Sequence, residues 1–464
     1  MQIEWMKARD IAGLVRGGEM SAQAIAAAVC DQVERENPAL NALIYFDREA
    51  VLAEAAAVDA RLAAGEDLPL AGVPFTTKDN LWVGDLPATF GSRLFKDFVA
   101  PRDSWCVSRL RALGGVMLGI TNCAEFACMG ITNNLLHGVT RNPLDLSRTP
   151  GGSSGGAVAA VAAGMGPLAL ATDAGGSTRR PAAHTGLVGF KPTLGAVPNP
   201  WGFDDPSHML SVIGQVGRDV EDVALMFDAL ADYDARDPLS QPDFAQLRAM
   251  PTLKAPLPPL RIASSLDLGC DFAIDDDVAA AMLAAVERLR AAGWQIDEAS
   301  PNWPASAREY PLLVLQQAEL AAMFSEALAS APNDIYPNIA DQIRLGQQVT
   351  GSQLAAVLML RDKLAQALAA FFGDYDLLLC PASPVEAWPI DQFGPPVIGG
   401  RPAGPRGHAA YTPLFNYCNV PAVSIPCGKG RQGLPVGLQI VGPRYADALV
   451  LAAAWQIESA WQLD

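Results

Sequence analysis

Apolar residues recur at helical spacing in the first part of the chain. Ile25, Ala28, Val29 and Val33 share one face of a segment that Ser21 is placed to cap, which predicts a helix over 22–36. An alanine-rich stretch predicts a second helix over 48–64, ending near Gly65. The apolar run 70–77 then reads as a buried strand that delivers Lys78 at its end. A helix over 105–113, a strand over 115–119, a small-residue helix over 157–163 and an apolar strand over 167–172 follow. Arg261-Ile262-Ala263 restarts a strand. Helices are predicted over 276–292, 305–330, 335–346 and 352–372, and a buried strand over 376–380. Alternation of strand and helix predicts an α/β sheet covered on both faces.

Two stretches break the pattern. Residues 233–262 are rich in Pro, Asp and Gln and read as a surface excursion, since a strand restarts at once. Residues 384–405 are rich in Pro and Gly and predict a long loop. No internal repeat is visible. A chain of 464 residues holds one large α/β domain or two to three small ones. Half the residues are apolar and 18% are charged, which suits a large core. The formal net charge of −17 and the lack of a basic run argue against nucleic acid, and the acidity reads as serving solubility. The start, Met1 to Lys7, lacks the basic and apolar regions of a targeting peptide, and the apolar stretch 157–171 is too interrupted to span a bilayer. Eight scattered cysteines, with no Cys-x-x-Cys, read as reduced buried thiols of a cytoplasmic protein that uses neither metal nor cofactor.

The chemistry gathers around glycine-set serines. Residues 151–156 read Gly-Gly-Ser-Ser-Gly-Gly, and Ser177 follows Ser153 by 24 positions in Asp173-Ala174-Gly175-Gly176-Ser177-Thr178-Arg179. Glycines let a backbone turn sharply and approach a substrate closely. With Lys78-Asp79-Asn80 upstream, the pair suggests a serine nucleophile worked by a lysine base. The bland readings are a flexible glycine-serine loop and a surface lysine paired with Asp79. No lysine follows Gly155-Gly156 as a P-loop needs, and the spacing does not fit a dinucleotide fingerprint. An anion at the N-terminus of the 157–163 helix stays an alternative on residue chemistry alone. The four histidines, His137, His184, His208 and His408, stand in no triad context, though His137 and His208 are candidates for pocket lining.

The chain closely resembles the amidase signature family of serine hydrolases. The match runs through 71–80, Gly91-Ser92, Leu118 to Asn122, Glu125-Phe126, Thr140 to Pro143, both serine motifs and Gly186 to Thr193. It resumes at Phe415-Asn416, Pro421 to Pro426 and Pro435 to Gly442. The resemblance implies one amidase signature domain over 1–464, with core motifs in 70–235 and 370–464 and a variable, mostly helical excursion at about 236–370. Its fold class would be α/β: a single large domain with a central twisted mixed sheet covered by helices on both faces. The resemblance makes Lys78, Ser153 and Ser177 the catalytic triad, with Ser177 as nucleophile and Ser153 as the serine after a cis peptide bond. Three departures are small: Thr178 stands where the family usually has isoleucine, Arg180 is a second arginine, and Gln215 stands where proline is common. Arg180 is expected to alter the polarity beside the nucleophile.

These readings assemble into a mechanism. Burial would draw the lysine pKa down from about 10.4, so that a neutral Lys78 can take a proton relayed by Ser153. Backbone N–H groups of Ala174, Gly175, Gly176 and Ser177 would hold the oxyanion. Ser154, Asp173 and Arg179 are assigned to support; Thr172 and Thr178 either add hydrogen bonds or only cap the local turn. Loops at about 129–137, 199–210, 313–345 and 384–412 would wall the pocket. They carry Met129, Ile131, Leu135, Leu136, Trp201, Phe203, Tyr310, Leu313, Trp388, Phe393 and Tyr411. Met129, Ile131, Leu135, Trp201 and Phe203 are the substrate-binding candidates. This apolar set leans towards a small hydrophobic or aryl amide, or a carbamate (urethane). The alternative is the glutaminase A subunit of a glutamyl-tRNA amidotransferase. The expected partner is a small-molecule substrate, with no nucleic acid and no membrane, for a monomer or homodimer.

Overall fold

Alternate residues of the central strands face two different packed layers. In the strand Leu168–Asp173, Leu168 and Leu170 join the main apolar core, while Ala169 and Ala171 pack with Val158, Val161 and Val216 on the other side. Leu377 and Leu379 likewise join the main core, and Leu378 and Cys380 a second one. That period of two, apolar on both sides, is what a sheet covered on both faces requires. The computed structural model describes residues 2–207, 209–309, 312–404 and 406–461.

Among the described residues, eleven strands form one mixed sheet. Their spatial order is Leu43–Tyr45, Val116–Thr121, Pro74–Lys78, Leu168–Asp173, Val212–Gly217, Val188–Lys191, Ala422–Lys429, Pro435–Val441, Leu377–Pro381, Ile262–Ser264 and Ile296–Glu298. The helices predicted over 22–36, 48–64, 105–113 and 157–163 are present as Ala22–Leu40, Arg48–Ala63, Trp105–Ala112 and Gly155–Ala162. Ser21 caps the first of these, its hydroxyl accepting from Ala24 N at 3.0 Å. No helix among the described residues is long and apolar enough to cross a membrane.

Several boundaries differ from the sequence reading. The strand expected over 70–77 begins only at Pro74, because Gly72 takes φ +71° in a turn closed from Val73 N to Leu70 O. It then runs one residue further, so Lys78 itself lies in the ladder, opposite Thr121. The segment 305–330 divides into a 3-10 turn, Ala305–Glu309, and the helix Leu312–Ser330. The strands Val212–Gly217, Ala422–Lys429 and Pro435–Val441 went unpredicted, since each carries glycine or proline that masks its apolar run. The 236–370 segment is mostly helical, yet its strands Ile262–Ser264 and Ile296–Glu298 extend the main sheet in parallel from Leu377–Pro381. Among its described residues the 384–405 loop carries the two-residue strands Val397–Ile398 and Arg401–Pro402 and a bridge from Pro389 to Arg148.

Candidate active site

Two parallel strands end side by side and set the site. Pro74–Lys78 pairs with Leu168–Asp173, Thr77 opposite Leu170, so Lys78, Thr172 and Asp173 emerge at one edge of the sheet. Lys78 is wholly buried. Its Nζ donates to Ser153 Oγ at 2.8 Å and to Thr172 Oγ1 at 2.8 Å. Asn80 Nδ2 donates to the same threonine oxygen at 3.0 Å. Burial pulls the Lys78 ammonium down to about 8, against the opposing charges of Asp205 and Asp173. Thr172, in the strand ladder just before Asp173, therefore holds the lysine as much as Ser153 does.

Ser153 opens the segment before Gly155–Ala162, after a cis Gly152–Ser153 peptide. Glycine is required at 152, because a Cβ there would meet the backbone of Ile131 at 2.6 Å. Ser154 Oγ donates to Thr172 O at 3.3 Å, tying this turn to the strand below it. Ser177 is almost fully buried, at 8% exposure, and no hydrogen bond joins it to Ser153 among the described residues.

The turn from Asp173 to Arg179 is organised around one carboxylate. Asp173 Oδ1 accepts Gly176 N at 2.7 Å and Arg179 Nη2 at 2.9 Å; Oδ2 accepts Thr178 N at 3.2 Å and Arg179 Nε at 3.0 Å. Burial would raise this carboxyl, but the Arg179 charge and the bonds from Arg179 and Asn416 hold it well below the usual carboxylate range. Arg179, also fully buried, spends its remaining N–H groups on Thr412 O, Gln439 Oε1 and Asn416 Oδ1. Gly176 N–H is committed to Asp173, whereas the N–H groups of Ala174, Gly175 and Ser177 are uncommitted among the described residues. Thr178 caps nothing with its hydroxyl, which is buried without a partner.

Of the substrate-binding candidates, Met129, Ile131 and Phe203 come together. They join one apolar cluster with Phe90, Phe126 and Phe324, in which Phe126 and Phe324 stack at 4.0 Å and Phe90 and Phe203 at 5.2 Å. Phe90 N donates to Asp79 O, so this cluster borders the residue after Lys78. Trp201 stands outside that cluster: the guanidinium groups of Arg102 and Arg236 lie over its ring, and its N–H donates to Asp103 O at 2.8 Å. Leu135 is half-buried and stands outside the cluster, where Arg93 Nε holds its carbonyl. Phe324 and Phe90 gave no signal in the sequence, because their neighbours come from distant segments.

The described histidines make no hydrogen bond to the lysine. His137 Nε2 sits 2.9 Å from Thr89 Oγ1, which donates to Asp79, and burial takes its pKa down to about 4. His184 and His408 flank Trp388, at 5.4 and 4.9 Å between ring centres, and both are buried. His208 and Tyr310 lie outside the described residues. Among the described residues no group of three or more His, Cys, Asp or Glu side chains could hold a metal ion.

Comparison with known proteins gives the arrangement a context. The Amidase family model matches residues 24–451. An acylamidase of Rhodococcus erythropolis is 36% identical, over 98% of this chain and 96% of its own length. The A subunit of the glutamyl-tRNA(Gln) amidotransferase of Azoarcus sp. (strain BH72) is 37% identical, over 96% of each. Among solved structures, a bacterial aryl acylamidase of the amidase signature family superposes with a TM-score of 0.90 at 28% identity, covering 100% of this chain and 98% of that one.

Proposed function

The chain belongs to the amidase signature family, and from that premise we propose that it cleaves a C–N bond of a small hydrophobic or aryl amide, or of a carbamate, through an acyl-enzyme on Ser177. The observation that carries the reading is the 2.8 Å bond from a fully buried Lys78 to Ser153, beside the Ser177 turn. With its pKa near 8, roughly a tenth of Lys78 is neutral at pH 7. Neutral Lys78 takes the Ser153 proton, and Ser153 takes that of Ser177. Ser177 Oγ then bonds to the carbonyl carbon, and the carbonyl π electrons move onto oxygen. The N–H groups of Gly175 and Ser177, with Ala174 beside them, receive that oxyanion. As the carbonyl re-forms, the C–N bond breaks and the relayed proton goes to the departing nitrogen. Water adds to the acyl-enzyme along the same relay, giving the acid and free Ser177. The Ser153 to Ser177 link closes in the substrate complex, where such bonds tighten.

The substrate class rests on the apolar cluster of Met129, Ile131 and Phe203, which Phe90 ties to Asp79. The eight buried free cysteines suit a reducing, cytoplasmic setting. The glutaminase reading keeps its place on the 37% identity to the A subunit of an amidotransferase. One screen separates the two. The purified chain alone is assayed on a 4-nitroanilide, a 4-nitrophenyl ester, a 4-nitrophenyl carbamate and glutamine, with Ser177→Ala as control. Turnover of the aryl amide that vanishes in Ser177→Ala supports the proposal. Turnover confined to glutamine transfers the reading to the glutaminase, and an active Ser177→Ala overturns both.

A further inference from the structure

Two consecutive arginines follow the Ser177 turn, and both grip one threonine. Arg179 Nη1 donates to the Thr412 carbonyl at 3.1 Å, and Arg180 Nη1 to the Thr412 hydroxyl at 2.8 Å. That hydroxyl donates to the Gly175 carbonyl at 2.7 Å, and Arg180 Nη1 donates to the same carbonyl. Gly175 O is thus held by two donors, one of them cationic. On the opposite side of the same peptide, Gly176 N–H is held by Asp173 at 2.7 Å. A peptide unit is planar, so a carbonyl fixed on one side and an N–H fixed on the other leave the plane no rotation. The uncommitted N–H groups of Gly175 and Ser177 flank this plane directly.

The geometry points to Arg180 and Thr412 as positioning residues: a clamp on the Gly175–Gly176 peptide that keeps the flanking N–H groups of Gly175 and Ser177 turned to the tetrahedral oxygen. The inference rests on Ser177 being the nucleophile. Arg180 is 4% exposed, and its guanidinium does not deprotonate. Burial, with the Arg180 charge added, holds the neighbouring His184 down at about 3 and His408 well below its usual range. The clamp therefore keeps one charge state throughout the range in which Lys78 titrates. Thr412 lies 237 positions from Gly175, which is why only Arg180 drew notice in the sequence.

The test uses the full chain and whichever chromogenic substrate wild type turns over best in the screen above. Thr412→Val removes the hydroxyl at nearly constant volume, and Thr412→Ser restores it. Arg180→Leu and Arg180→Lys remove and partly keep the cationic donor. Removing a direct oxyanion donor costs about 10²–10³ in kcat, and an indirect clamp should cost about 10- to 100-fold. The expected result is that loss in kcat for Thr412→Val and Arg180→Leu, with KM within about threefold and Thr412→Ser near wild type. Inhibition by 2,2,2-trifluoroacetophenone, which forms an oxyanion on the serine, should weaken by a similar factor. Binding of acetophenone, which forms none, should not change. Thr412→Val carries the test alone where Arg180→Leu fails to fold. Unchanged kcat in Thr412→Val, or equal weakening of both ketones, overturns the clamp. Activity surviving in Ser177→Ala would instead overturn the nucleophile on which it rests.

Discussion

Lys78 Nζ donates to Ser153 Oγ at 2.8 Å, from the end of one strand to the turn that precedes a helix 75 positions later. Neither residue is exposed, so the bond is made without competing water. It places a base of lowered pKa against a hydroxyl that can both accept and donate.

Because the lysine and both serines form one path, removing any one should break it whole. Ser177→Ala and Lys78→Ala are each expected to lose activity on the order of 10³-fold or more, and the double variant little beyond the worse single one. Ser177→Ala should melt within a few degrees of wild type, since one oxygen is lost at a turn. Steady-state rates with calorimetry check this. A double variant slower by the product of the single losses would mean that the two residues act independently.

The pH profile follows from the same burial. Lys78 must be neutral in the free enzyme, and burial sets its pKa at about 8. The protonated form gains as pH falls, so kcat/KM should drop tenfold per unit below an apparent pKa near 8 and level off above it. His137, His184 and His408 are all held neutral well below that range. His137→Ala and His184→Ala should therefore keep the acid limb where it is. An acid limb that disappears together with the activity in His137→Ala would transfer the base to histidine.

How much of this could be read from the chain depends on the reach of each contact. Lys78 stood out because a charged residue ending an apolar run is informative locally, and the strand does end on it. Ser21, Asp173 and the glycine turns were legible for the same reason. Arg179 was assigned to support without its partners being visible. Thr412, Asn416 and Gln439 lie 233, 237 and 260 positions away, and no periodicity encodes such pairing. Trp201 reads as a pocket wall because it is an aromatic residue in a loop. Only the fold shows Arg102 and Arg236 over its ring.

The buried Asp173–Arg179 pair should matter for stability first. Arg179→Leu strands the Asp173 carboxylate and leaves Gln439 Oε1 and Asn416 Oδ1 without their donor, while Thr412 O keeps only Phe415 N. Breaking such a pair from one side costs about 3–5 kcal/mol. Arg179→Lys keeps the charge but lacks the planar fork, so it should recover only part of that. Urea unfolding of both variants measures the difference. A loss under about 0.5 kcal/mol in Arg179→Leu, the scale of an ordinary surface change, would show that the turn holds without the pair.

Gly176 tests whether backbone geometry at this turn is separable from stability. Its φ is +108°, a conformation open to glycine and strained for any other residue. A Cβ there would also strike Thr412 Oγ1 and Arg180 Nη1, the two donors on the Gly175 carbonyl. Gly176→Ala therefore carries two penalties: a conformational one of about 1–3 kcal/mol and displacement of the Gly175–Gly176 peptide. Gly433 provides the control. It too has positive φ, +78°, but a Cβ there meets nothing within 4 Å. Gly433→Ala should pay the conformational term alone, of order 1 kcal/mol, and keep wild-type kcat. Gly176→Ala should lose at least tenfold in kcat under conditions where both variants are fully folded by circular dichroism. If the two alanine variants lose stability equally and both keep wild-type kcat, the crowding around Gly176 has no bearing on catalysis.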